Sequence, residues 1–114
     1  MGGVININDH DAWLASFGRY DHIVGRIEAK LRAVNEDVLL SMIEKAKEPY
    51  LRFLDLEEVD APRLATFAAA VDSAYADVAE AGPHGFGAHP EVYDSFLASL
   101  AELRNLVRGD PRIT

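Results

Sequence analysis

Apolar residues recur at Trp13, Phe17, Tyr20, Val24, Ile27, Leu31 and Val34, in steps that alternate four and three. Only a helix brings residues at that spacing onto one side of the chain. The stripe predicts a helix near 10–34, packed lengthwise on partners and capped by Asp9 or Asp11. Gly18 and Gly25 each weaken such a helix by about 1 kcal/mol relative to alanine. Gly18 therefore leaves open a short first helix split from the rest.

The remaining punctuation divides the chain into three more helices of similar length. Asn35-Glu36-Asp37 reads as a cap followed by an acidic first turn, starting a helix near 36–56. Pro49 kinks or ends that helix. Val38 and Met42 also continue the first stripe, so a merged first and second helix is the alternative. Asp60-Ala61-Pro62 opens a helix over 61–81, which Gly82-Pro83 stop. Pro90 opens the last, over 90–108, and Gly109 and Pro111 end it. The expectation is one all-α domain over residues 1–114, an antiparallel up-and-down four-helix bundle. Residues 1–8 and 110–114 are expected as loose tails. Val4-Ile5-Asn6-Ile7 has strand character, but a strand without a visible partner cannot make a sheet.

Composition narrows function mainly by exclusion. The chain has 114 residues, no cysteine and a net charge of −8. Disulfides, thiolate metal sites and cysteine nucleophiles are therefore excluded, and so large an acidic excess repels nucleic-acid phosphates. No apolar run reaches the length of a membrane span. With no leader pattern in Met1-Gly2-Gly3-Val4-Ile5-Asn6, a cytoplasmic location is expected.

The charge is unevenly placed. Residues 1–54 hold eight acids and seven bases, a net of −1. Residues 55–102 hold ten acids against Arg63 alone, a net of −9. Residues 103–114 return +2, from three arginines and Asp110. Carboxylates steer a basic partner into encounter, and tyrosines supply contact area with few rotors to freeze. The candidate partner-binding residues are Asp55, Glu57, Glu58, Asp60, Asp72, Tyr75, Asp77, Glu80, Phe86, Glu91, Tyr93 and Asp94. Against this, an acidic half is also an ordinary solubilising surface, and Tyr75 and Tyr93 fit the apolar stripes of a core.

Other chemistry finds little support. His10, His22, His84 and His89 lack the Glu-x-x-His or His-x-x-x-His spacing of a bundle metal site, so no metal or cofactor is expected. The stretch Gly82–His89 is glycine-rich but has no lysine or arginine for phosphate, and reads as a connection that Phe86 plugs into the core. Five serines sit in helical patterns away from any nucleophile elbow. Adjacent carboxylates such as Glu57-Glu58 near a helix end face solvent, so no enzyme activity is expected.

Pro90-Glu91-Val92-Tyr93-Asp94-Ser95-Phe96-Leu97 resembles the second-helix opening of paired amphipathic helix corepressor domains. The resemblance is confined to this stretch, nothing upstream matches in register, and no function is carried over from it. The expectation is instead a small acidic protein-binding module. Its most concrete form is an inhibitor of the immunity or antitoxin type, whose acidic face on helices three and four covers a basic partner. The alternatives are a homodimer or adaptor built on the long Trp13–Val34 helix, and a ligand-binding helical bundle.

Overall fold

Ile5 and Ile7 alternate with Val4 and Asn6, the period of a strand with one buried face. In the computed structural model, which describes residues 2–47, 52–86 and 89–113, that alternation is realised as β1 (Gly2–Asn6). A tight loop, closed by the Ile7 N–H donating to the Asp11 carbonyl, returns the chain as β2 (Ala12–Ser16). The two pair antiparallel, with Val4 opposite Leu14 and Ile5 opposite Trp13. The third strand, β3 (Phe53–Asp55), lies parallel to β1 on its other side, with Val4 opposite Phe53. The order is β2-β1-β3.

This mixed sheet overturns the all-α expectation. The expected first helix begins as a strand: Trp13 belongs to β2, and α1 runs only over Phe17–Ala33. The 3–4 spacing continued across the boundary because the helix and the strand bury their residues into the same core. Trp13, Tyr20, Ile23, Val24, Ile27 and Leu31 are all buried, whereas Val34, the last residue of the predicted stripe, is 61% exposed. The long Trp13–Val34 helix of the adaptor reading does not form. The merged helix does not form either. Asn35 takes a left-handed turn (φ 57°), and α2 (Asp37–Lys45) starts after it, with the Glu36 carboxylate accepting from the Val38 amide.

The expected helix over 36–56 is likewise shorter. It ends at Lys45, and Phe53–Asp55 are strand; Pro49 and Tyr50 lie outside the described residues. α3 (Ala61–Phe86) starts at the predicted place, and its path breaks at Gly82 (φ 67°), where only glycine is free of strain. The first helical segment thus breaks at Gly82, where the sequence places its stop, and a second short segment continues from there through Phe86. α4 spans Pro90–Arg108.

α3 and α4 pack as an antiparallel pair, α1 lies against α3, and the sheet closes the core through Ile5, Trp13 and Leu54. The Trp13 indole N–H donates to the Ser99 carbonyl at 2.9 Å, fixing β2 to α4. Gly3 has no room for a side chain, since a Cβ there would lie 2.4 Å from the Tyr20 ring. Neither end is loose among the described residues. Residues 2–6 form the central strand, and Asp110 is buried where Arg112 donates to the carbonyls of Ile7, Leu56 and Val59, each at 2.7 Å.

Candidate protein-binding surface

The acidic residues of 55–102 divide according to whether a cation already faces them. Asp60 caps α3, accepting from the Arg63 amide at 2.9 Å and from its guanidinium at 2.7 Å. Those bonds hold its carboxyl below the usual range. Asp72 pairs with Arg108 at 2.7 Å, and Asp77 with Lys30. Asp55 accepts from the Asn6 side chain and from the Glu57 amide, both at 3.0 Å. These four carboxylates therefore already have partners within the fold.

The two tyrosines are also engaged. Tyr93 is buried and donates its hydroxyl to the Val78 carbonyl at 2.9 Å, which ties the start of α4 to α3. Tyr75 is half-buried under the Arg104 guanidinium, 4.0 Å from the ring centre. The side chain of Phe86 lies outside the described residues.

Glu57, Glu58, Glu80, Glu91 and Asp94 are exposed, with no ion-pair partner among the described residues. They do not form one face. Glu57 and Glu58 sit before α3, and Glu80 lies about 30 Å further along it at 1.5 Å per residue. Glu80 lies two residues from Val78 on α3, and Glu91 and Asp94 flank Tyr93 on α4, so the Tyr93–Val78 bond sets all three toward the same end of the α3–α4 pair. Along α4, Glu91, Asp94, Ala98 and Glu102 are all exposed at steps of three and four, opposite the buried Phe96, Leu100 and Leu103. Glu102 was missing from the predicted set. The signal that identifies it is the same helical spacing, applied to the polar residues instead of the apolar ones.

The buried charges elsewhere are paired within the fold. Glu28 is 6% exposed and accepts from the Lys47 ammonium at 2.8 and 3.0 Å, with Arg32 at 3.5 Å. Asp110, 1% exposed, accepts from Arg112 and from the Asn8 side chain; Arg112 first, then Asn8, hold its carboxyl well below the usual range against burial. The Tyr20 hydroxyl is buried without a partner among the described residues, and burial, then Asp21, push it up to about 12.

His22 accepts from Arg26 and lies 4.7 Å from the Phe96 ring, so burial, then Arg26, lower its pKa. Among the described residues no cluster of three or more His, Cys, Asp or Glu could hold a metal ion. Nor is any helix among them long and apolar enough to cross a membrane.

The fold, unlike the sequence, has a recognisable counterpart. It is shared with a chain of a solved toxin–immunity complex. That structure is described as the CdiA-CT toxin from Burkholderia pseudomallei E479 in complex with its cognate CdiI immunity protein. The likeness covers 98% of this chain and 99% of the other, at a TM-score of 0.76 and 20% identity. No family model matches the sequence, and no curated protein does. At that identity the shared property is the architecture, strands and helices together, over the full length of both chains.

Proposed function

We propose that this chain is a non-enzymatic, immunity-type inhibitor that binds a protein toxin in the cytoplasm, and that the toxin surface it covers is basic. The observation that carries the reading is the full-length fold likeness to a chain from a toxin–immunity complex. Of the two roles in that complex, charge favours the inhibitor. Glu91, Asp94 and Glu102 form an acidic stripe on α4 with no ion-pair partner among the described residues, and Glu80 is a further exposed acid on α3. Fixed carboxylates on a rigid helix attract and orient a basic surface, raising the encounter rate and rejecting acidic ones. The docking face is therefore the α4 stripe with Glu80, in place of the broader set that included Asp60, Asp72 and Asp77.

The test is affinity capture from the source cells with the tagged full chain, followed by association kinetics with the retained protein over about 0.05 to 0.5 M salt. A basic nuclease-like or otherwise toxic protein should be retained, with an association rate that falls steeply as salt rises. Reversing Glu91, Asp94 and Glu102 to lysine should weaken binding at least about tenfold, whereas Asp72→Asn should leave it unchanged. Salt-insensitive association, or indifference to the triple reversal, would sink the reading.

A further inference from the structure

β2 is an edge strand, with no strand on its outer side among the described residues. Backbone groups on a strand point alternately to its two neighbours. The Val4 N–H donates to the Arg52 carbonyl, and the Asn6 carbonyl accepts from Leu56, so Val4 and Asn6 face β3. Gly3 and Ile5 therefore face β2, where their partners are Ala15 and Trp13. The N–H and C=O groups of Ala12 and Leu14 and the N–H of Ser16 consequently point away from β1, while the Ser16 carbonyl opens α1 as its N-cap. Neither Ala12 nor Leu14 enters any backbone bond outside the sheet among the described residues.

Natural edges are commonly guarded by lysine, proline, a bulge or an inward charge. The β3 edge carries Asp55; β2, Ala12-Trp13-Leu14-Ala15-Ser16, carries no charge and no proline. Leu14 projects from it at 69% exposure. Charge at the two ends of β2 indicates what would cover it. Asp9 and Asp11 lie before the strand, and Arg19 lies just after it, donating to Ser95 with no carboxylate partner among the described residues. A copy of the same edge running antiparallel sets the acidic end of one against the arginine end of the other.

We propose that β2 is the interface of a symmetric homodimer, in which two copies pair their β2 edges antiparallel about a two-fold axis at Leu14. That register places Leu14 opposite Leu14 of the second copy and Ala12 opposite Ser16. The two Leu14 residues then exchange a pair of backbone bonds, each Ser16 N–H meets an Ala12 carbonyl, and the two three-stranded sheets become one of six strands. Like-sign charges are opposed nowhere along the pairing, and the Asp9–Asp11 and Arg19 ends face each other across it. The dimer uses a surface separate from the α4 stripe and stands independently of the inhibitor reading.

Sedimentation velocity on the full chain over a wide concentration range tests it. A concentration-dependent dimer is expected. Leu14→Lys, which puts two ammonium groups opposite each other, should raise the dimer dissociation constant about tenfold or more. Its circular dichroism melt should match the parent's at concentrations where both are monomeric, because in the monomer the native side chain faces solvent. Leu14→Cys should cross-link into a covalent dimer with a short bismaleimide, unambiguously so in a chain with no other cysteine. Arg19→Glu should weaken the dimer, and adding Asp9→Arg and Asp11→Arg should restore it. A monomer at every concentration would overturn the proposal, whether the edge then serves a strand of another protein or none. So would a dimer that Leu14→Lys leaves intact, or a Leu14→Cys variant that does not cross-link.

Discussion

The Arg112 guanidinium grips the buried Asp110 carboxylate, with Nε at 2.9 Å from one oxygen and a terminal nitrogen at 3.0 Å from the other. The same guanidinium donates to the carbonyls of Ile7, Leu56 and Val59. One side chain therefore joins the C-terminal turn, the exit of β1 and the segment leading to α3. Arg112→Ala would strand a buried carboxylate and several carbonyls together. It should lower stability by about 3 kcal/mol, the scale for breaking a buried pair, as read from urea denaturation midpoints.

The same pair sets an acid limit. Asp110 titrates in the folded protein well below its ordinary 3.8, held there by Arg112 and then Asn8. Lowered folded-state affinity for the proton means the stabilisation is fully present above the unfolded value. It is lost as pH falls from about 4 toward the folded value. Asp110→Asn should be less stable than the parent at neutral pH and should show a shallower loss of stability below pH 4. Denaturation midpoints measured from pH 6 to pH 2 check both parts.

Gly3 is required by close approach. Its missing side chain is what lets β1 lie against the Tyr20 ring, which is itself buried under the sheet. Gly3→Ala should cost about 1–3 kcal/mol, because the ring has to shift within a packed core. Gly18→Ala, where nothing lies within 4 Å of the new Cβ, is the contrast. It should be neutral or stabilising by up to about 1 kcal/mol in the first turn of α1. Thermal melts should show a lowered midpoint for Gly3→Ala and an unchanged or raised one for Gly18→Ala.

Trp13 is the only tryptophan and is fully buried, with its indole N–H bonded to Ser99. Native fluorescence should therefore be blue-shifted and should move to the red on unfolding, reporting the β2–α4 contact directly. Trp13→Phe keeps a ring but loses the donor and some volume, and should cost about 1–2 kcal/mol. A red-shifted native emission would place the indole in water and contradict the packing of β2 on α4.

Much of the helical layout was legible locally. Asp60-Ala61-Pro62 starts α3, Pro90 starts α4 and Arg108 ends it, because caps and prolines act within one turn of chain. The break at 34–37 was visible as Asn35-Glu36-Asp37, and a left-handed Asn35 realises it. The sheet was not legible. Val4-Ile5-Asn6-Ile7 carried the alternation of a strand, but its partners were hidden: Trp13 fell in step with the α1 stripe, and Phe53-Leu54 in step with α2. A parallel pairing between residues 4–6 and 53–55 is non-local, so no window of sequence contains both halves. The acidic set shows the same limit. Spacing identified Glu91 and Asp94 on one helix, but not that Asp72 and Asp77 would be neutralised by Arg108 and Lys30 from distant elements.

The sequence by itself therefore determined the starts of α2, α3 and α4, the missing thiol chemistry and the concentration of acid in residues 55–102, all properties of composition or of neighbouring residues. Tertiary structure alone decided that Trp13 lies in a strand, that β1 is central, and which acids of residues 55–102 stay without a partner among the described residues, namely the α4 stripe, Glu80 and the Glu57-Glu58 turn. Strand pairing and charge neutralisation both depend on which distant groups the folded chain brings within a few ångströms, and sequence separation carries no measure of that distance.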